Sequence, residues 1–271
     1  MIRTASRLGS MASIFGIVVA IAAFSPVYVW AADPGAMPAA ASGTGASSQS
    51  SDDDPEKPSS LVVMGDFNRD GIADKAEVIL SATNHDELAL LTVSLGQADG
   101  TFKKMASAPL SGHNPRSLVT GDFNGDGNPD LIVGDESGSL SLFLGDGTGR
   151  IVPAGDIAHL TSVVSIAVAD FNRDNIPDIA VTDWRASVVT VFLGAGNGSF
   201  QRVWSSPLRM PGTVPHVTVA DFNGDHIVDL AVIYDDDDGD TFEVMLGNGN
   251  GTFTDAPNLS FARDPNSHCT T

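Results

Sequence analysis

Asp66-Phe67-Asn68-Arg69-Asp70-Gly71-Ile72-Ala73-Asp74 decides the fold, because its pattern is written four times along the chain. DFNGDGNPD begins at Asp122, DFNRDNIPD at Asp170 and DFNGDHIVD at Asp221, at intervals of 56, 48 and 51 residues. A second phrase follows each one: LGQADGTF from Leu95, LGDGTGRI from Leu144, LGAGNGSF from Leu193 and LGNGNGTF from Leu246. Two linked phrases that recur together mark an array of like units, and self-similarity of this kind takes precedence over any local reading.

The residues between the phrases read as strands. Leu61–Met64, Val164–Val168 and Val217–Val219 precede Asp loops; Leu131–Val133, Ile179–Val181 and Leu230–Ile233 follow them. These are short β-branched or apolar runs closed by turn residues. A third strand alternates through Ser139–Leu144 and Val188–Leu193, each ending in a glycine-rich turn whose glycines supply positive φ. A weaker fourth strand follows, as at Phe200–Trp204, and no amphipathic helical period is found outside the amino-terminal segment. Four strands per unit of about 50 residues is the size of a propeller blade. The expected fold is therefore all-β: a β-propeller-like array of four four-stranded blades, each with an Asp loop between its first and second strands. A single blade cannot bury both its faces, so neighbours must stack. Phe67, Phe123, Phe171 and Phe222 recur inside the loops and are assigned to packing between blades.

Each loop carries acids or amides at relative positions 1, 3, 5 and 9. They are Asp66, Asn68, Asp70 and Asp74; Asp122, Asn124, Asp126 and Asp130; Asp170, Asn172, Asp174 and Asp178; and Asp221, Asn223, Asp225 and Asp229. Position 7 offers a backbone carbonyl from Ile72, Asn128, Ile176 or Ile227. Calcium takes six to eight oxygens, and alternate side chains of a tightly turning loop can converge on one point. Three carboxylates so close repel one another without a cation. An all-oxygen set argues against zinc and copper, which favour His and Cys. Turn chemistry alone uses Asp, Asn and Gly, but it does not require carboxylates at positions 1, 5 and 9 four times over. The expectation is up to four calcium ions. Gly71 and Gly127 stand at the sharp turn of position 6, where the third and fourth loops have Asn175 and His226. Asn tolerates a left-handed conformation better than His, so calcium affinity is expected to be weaker in the third loop and weakest in the fourth.

The ends of the chain differ from this middle. Arg3 and Arg7, an uncharged apolar run from Ile14 to Phe24, and Val29-Trp30-Ala31 have the form of a secretory signal peptide over residues 1–31. The run is short for a membrane span, although an uncleaved anchor is the alternative. Residues 32–60 are rich in Ala, Ser, Gly and Pro and read as a disordered linker, and residues 263–271 as a tail. The repeats fill 61–262. The formal charge of the chain is −20, and loss of the two arginines makes it −22. Such a surface repels nucleic acid and anionic membranes and invites cations. Cys269 is the lone cysteine, so the core cannot be tied by an internal disulfide.

The two phrases together resemble FG-GAP repeats, also called VCBS repeats, of integrin α-chain propellers and many secreted bacterial proteins. The resemblance covers about residues 61–262. It implies four-stranded blades with calcium held between the first and second strands, where the metal mainly rigidifies the blade. It also implies adhesion, glycan binding or decoration of an enzyme, without fixing one activity. Integrin-type propellers have seven blades and this chain has four. The array then closes on itself, stays open, or completes a ring with a second copy; exposed edges favour a homo-oligomer.

The functional expectation is a non-enzymatic binding or adhesion module for a protein or glycan, secreted, periplasmic or on the cell surface, with no stable membrane insertion once the signal is removed. The alternatives are a structural part of a cell-envelope assembly, or a hydrolase or lyase on a propeller scaffold. No G-x-S-x-G elbow or H-E-x-x-H is present, and the glycine-rich turns are not nucleotide loops, because no helix follows them. Outside the repeat register only Asp183 and Glu136 stand out as acids. Trp184-Arg185 suits sugar stacking or a partner anchor, or a Trp folded on its own hairpin. Tyr234 and the run Asp235–Asp240 read as a solvated acidic turn, with an extra cation site as the alternative, and Trp204 as packing. Asn197-Gly198-Ser199, Asn250-Gly251-Thr252 and Asn258-Leu259-Ser260 match glycosylation sequons, two of them inside the glycine-rich turns.

Overall fold

The computed structural model describes residues 61–81, 88–110, 112–235 and 241–256, which are strand and turn throughout. The signal peptide, the linker, Cys269, Asn258 and most of the Asp235–Asp240 turn lie outside the described residues. Sixteen strands run in chain order. The first blade holds β1 (Leu61–Gly65), β2 (Asp74–Ser81), β3 (Leu88–Gly96) and β4 (Phe102–Pro109). The second holds β5 (Pro115–Gly121), β6 (Asp130–Asp135), β7 (Ser139–Gly145) and β8 (Ile151–His159). The third holds β9 (Val163–Ala169), β10 (Asp178–Asp183), β11 (Val188–Gly194) and β12 (Phe200–Pro207). The fourth holds β13 (Val214–Ala220), β14 (Asp229–Asp235), β15 (Thr241–Gly247) and β16 (Phe253–Asp255). Each set forms its own antiparallel four-stranded sheet, with neighbours in space the same as neighbours in sequence.

Burial follows from stacking. β9 (VVSIAVA) and β10 (DIAVTD) are buried along their whole length, which is why they read as continuous apolar runs rather than as alternation. The outer strand β8 is largely exposed and tolerates Pro153 and Gly155. The fourth strand predicted over Phe200–Trp204 continues to Pro207, and a bulge between its partners Val191 and Phe192 lets it bend.

Every blade has a leading face toward the blade before it and a trailing face toward the next. Leu131, Val133, Phe143 and Ile151 lead the second blade and pack on Phe67, Ala76, Val78, Leu91 and Val93 of the first. Ile179, Val181 and Phe192 of the third pack on Val119, Phe123, Ile132, Leu140 and Leu142 of the second. Leu230, Val232, Met245 and Phe253 of the fourth pack on Phe171, Ala180, Val189 and Val191 of the third. Near the axis β1 packs on β5, β5 on β9 and β9 on β13, with no comparable packing of β13 on β1. Among the described residues the array is open.

Its first leading face is unlike the others. Lys75, Glu77 and Ser94 stand where the later blades have Leu131, Val133 and Phe143. Lys75 and Glu77 form an ion pair at 2.9 Å, with the Lys75 ammonium over the Phe102 ring. Phe102 is 47% exposed, whereas its counterparts Ile151 and Phe253 are buried. A polar outer face is what a terminal repeat needs to stay soluble.

Candidate functional site

All four Asp loops and all four glycine-rich turns lie at one end of the array, because each joins strands on the same side of its sheet. The loops share one hydrogen-bond plan. In the second, Asp122 accepts the amides of Gly125 and Asp126 through Oδ1 and that of Gly127 through Oδ2, at 2.8 to 3.1 Å. The Asn124 carbonyl oxygen accepts the Asp126 amide, and Nδ2 donates to Asp126 Oδ2. Asp126 Oδ1 accepts the Asn128 amide at 2.8 Å. Asp170 and Asp221 take the same three amides, and Asp66 takes those of Asp70 and Gly71. Positions 1, 3 and 5 therefore act as caps for the amides of a tight turn.

Position 9 is different. Asp130 is fully buried; its Oδ2 takes the Phe123 amide at 2.9 Å and its Oδ1 the Gly145 amide at 2.8 Å. Asp74 does so with Phe67 and Gly96, Asp178 with Phe171 and Gly194, and Asp229 with Phe222 and Gly247. One carboxylate thus staples the Asp loop to the third strand of the same blade, which is the physical reason the two phrases travel together. Glycine is required at the receiving end: a Cβ at Gly145 would lie 2.2 Å from the Pro129 carbonyl oxygen, and at Gly96, Gly194 and Gly247 it would meet the matching carbonyl. Burial raises all four carboxyls above the ordinary range, and their loop-mates add repulsion. Asp130 reaches about 6, with Asp126 and Asp122 nearby, and Asp178 about 7, with Asp174 and Asp170 nearby.

Left-handed backbone occurs at two places in each loop. Position 6 has Gly71, Gly127, Asn175 and His226, the last two both at φ 64°. Position 4 has Arg69, Gly125, Arg173 and Gly224, a second strained site that Gly125 and Gly224 signalled in the sequence.

Among the described residues, no three His, Cys, Asp or Glu side chains are drawn together as a ready metal cage. The acids face backbone amides instead. The donor chemistry fits a hard cation: carboxylate and amide oxygens in a nine-residue loop, mutually repelling, with no basic side chain at a ligand position.

The loops also carry the seams. Gly149 of the second blade donates to the Phe67 carbonyl of the first at 2.9 Å. Gly198 does so to Phe123 and Gly251 to Phe171. Among the described residues no blade precedes the first, and Gly100 turns its amide onto Gln97 of its own turn. Arg173 reaches across to donate to the His226 carbonyl at 2.9 Å. At the axis, Ser117 Oγ accepts the Ile166 amide and Ser165 Oγ that of Val217. Phe67, Phe123 and Phe171 are buried as expected, whereas Phe222, at the last loop, is only partly buried.

At the opposite end, Asp183 is buried and bound to the amides of Thr161, Ser162 and Ala186, a turn support rather than an exposed acid. Glu136 is held by Arg116 and Asn114; burial raises its carboxyl, but these bonds and the nearby Arg185 charge outweigh it and keep the group below its usual range. Trp184 is half-buried beside exposed Arg185. Trp204 packs on the Phe253 ring at 5.1 Å. Tyr234 is fully buried and bonded to Glu243, so it is not part of a solvated turn. Asn197 and Asn250 accept from Ser199 and Thr252, as Asp99 and Asp146 do in the other turns; sequon chemistry is not needed to explain them.

The FG-GAP-like repeat family profile matches residues 75–133, 122–181 and 176–232 in tandem. The chain belongs to this family. Cartilage acidic protein 1 of Xenopus tropicalis is 28% identical over 124 residues, an alignment covering 42% of this chain and 19% of that protein. The chain thus spans about a fifth of that relative's length.

Proposed function

We propose that this chain is an exported, calcium-stabilised, non-enzymatic module that binds a protein or glycan. The observation that carries the reading is the fourfold Asp loop, with three mutually repelling carboxylates in nine residues and position 9 already committed to holding the blade together. Asp66, Asn68, Asp70 and Asp74, with the Ile72 carbonyl, are the first set of donors, and the corresponding residues of the other loops the rest. A bound calcium ion would neutralise the repulsion within a loop. Because the loops also form the seams, the ion would stiffen the array rather than take part in chemistry. Cartilage acidic protein 1, by its name a protein of cartilage, is in keeping with work outside the cell. The ligand surface is assigned to the opposite end, where the turns differ between blades and Trp184 stands beside Arg185.

The test is thermal unfolding of the full chain after chelation, with calcium added back and magnesium as control. A native-only ligand at about 100 times its Kd adds about 2.7 kcal/mol per site. A calcium-specific rise in midpoint supports the reading; no rise, with no binding by calorimetry, sinks it. His226→Gly should tighten binding at the fourth loop. Glycan-array binding lost in Trp184→Ala supports the ligand assignment, and an array without hits favours a structural role in an envelope assembly.

A further inference from the structure

Two residues at the seam between the third and fourth blades hold a backbone that their side chains disfavour. His226, at position 6 of the fourth loop, has φ 64°, and Arg173, at position 4 of the third, has φ 66°. Glycine takes this left-handed conformation freely, and it is costly for other residues. Gly127 fills position 6 in the second loop and Gly224 position 4 in the fourth. Such strain persists only where the surroundings hold it. The His226 imidazole supplies little hold of its own: it is 92% exposed and stays 3.8 Å from Asp221.

The hold comes from the neighbouring blade. Arg173 donates through a terminal guanidinium nitrogen to the His226 carbonyl at 2.9 Å, across 53 residues of sequence. Its stem lies over the glycine-rich turn of the fourth blade, with Cδ 3.4 Å from where a Cβ on Gly249 would stand. A charged donor makes this one of the stronger kinds of hydrogen bond.

The other seams differ in a telling way. Arg69 crosses the first seam over Gly147, also at 3.4 Å, but makes no matching bond to the second loop among the described residues. There Gly127 takes its φ of 80° unaided. At the second seam Gly125 replaces the arginine, and a Cβ on it would lie 3.0 Å from the Gly196 carbonyl oxygen, so the backbones meet directly. The loop beyond that seam turns at Asn175, which bears a left-handed backbone better than His. The bridge is made where the receiving turn is least suited to its own residue.

We infer that Arg173 is a positioning residue for the loop of the next blade: by holding the His226 carbonyl across the seam, it keeps the fourth loop's donors in place for calcium. The calcium half of this inference rests on the function proposed above; the bridge itself does not. As a cation beside two Asp loops, Arg173 would by its charge alone disfavour calcium in both. A bridge that helps only the fourth loop is therefore separable from a charge effect.

The test uses the full chain as wild type, Arg173→Met, His226→Gly and the double variant, with amide signals read by NMR. In calcium-free buffer, Arg173→Met should speed hydrogen exchange at Asp225, His226 and Ile227 by about tenfold, the scale of one lost bond to a charged group. The matching amides of the third loop, Asp174, Asn175 and Ile176, should not change. In the His226→Gly background the same substitution should matter by less than about threefold, because glycine needs no support there. A calcium titration followed on the same signals should show the fourth loop weakened by about tenfold and the third not weakened. Unchanged exchange in the fourth loop, equal changes in both loops, or an equal effect in the His226→Gly background overturns the bridge. Calcium bound more tightly at both loops in Arg173→Met overturns the positioning role and leaves charge as the effect. If no loop binds calcium, the calcium reading fails and the exchange rates alone decide the bridge.

Discussion

Gly149 donates its amide across the first seam to the carbonyl of Phe67, at 2.9 Å, and its Cα faces Leu95 so closely that a Cβ would lie 2.6 Å from that side chain. Gly100, the same position one blade earlier, has a similar φ of 81° but nothing within 4 Å. Alanine at either site pays left-handed strain of about 1–2 kcal/mol. Gly149→Ala also has to displace Leu95 or open the seam. It should therefore cost clearly more than Gly100→Ala in urea unfolding, and equal costs would show that the seam contact contributes nothing.

Position 9 and position 5 should separate on mutation. Asp178→Ala leaves the Phe171 and Gly194 amides without their acceptor inside the blade. At about 1–3 kcal/mol for each stranded group, the loss in calcium-free buffer should be on the order of 3 kcal/mol. Asp174→Ala, on an exposed loop position, should cost much less in that buffer yet blunt the response of the midpoint to calcium. A large calcium-free loss in Asp174→Ala would refute this division of labour.

Glu243 offers a pH test away from the loops. It is buried, accepts from Tyr234, and meets Arg209 at 3.1 Å, while Asp255 pairs with the same arginine at 3.2 Å. Burial raises its carboxyl above the usual range, against the pull of Tyr234 and Arg209, and Asp255 adds to the rise. A raised native value means the folded chain holds this proton more firmly than the unfolded one. The associated stability is present below the ordinary glutamate pKa of about 4.3 and is lost as pH rises through the native value. Measured as a difference, wild type should lose stability relative to Glu243→Gln as pH rises above the ordinary glutamate value. The reverse slope would mean that the ion pair outweighs burial.

The polar leading face should act as a stop. Lys75→Leu, Glu77→Val and Ser94→Phe together restore the pattern of the second blade. The triple variant should associate more strongly with concentration than the native chain does, seen by light scattering. Unchanged mass in the variant would show that these residues do not limit stacking.

Much of this fold was legible because repetition averages out local ambiguity. Val164–Val168 and Ile179–Val181 could be strand or buried helix in isolation, but the returning Asp loops fix their length and order. Phe67, Phe123 and Phe171 were legible as packing between blades, and their carbonyls as seam acceptors were not, since sequence gives no sign of where a backbone oxygen points. The role of position 9 was hidden for a related reason: Asp74 and Asp70 look alike in a motif, and only burial separates a staple from a turn cap. The sequence does distinguish Lys75 and Glu77: in register with the other blades they stand opposite Leu131 and Val133, Ile179 and Val181, and Leu230 and Val232. Asp183 and Tyr234 show the limit of reading from residue type, because both are enclosed by neighbours about 20 or more residues away in sequence.

The seam bonds all run one way: the earlier blade presents Phe67, Phe123 or Phe171, and the later one brings Gly149, Gly198 or Gly251 to it. A polypeptide emerging amino end first from the ribosome would then always find its landing place ready. Each new sheet would dock on one already made, with no waiting for distant sequence, and a chain interrupted midway would still be a sound, shorter stack. Lengthening such a molecule over generations would ask only for one more unit and one more joint, laid down in the direction of synthesis.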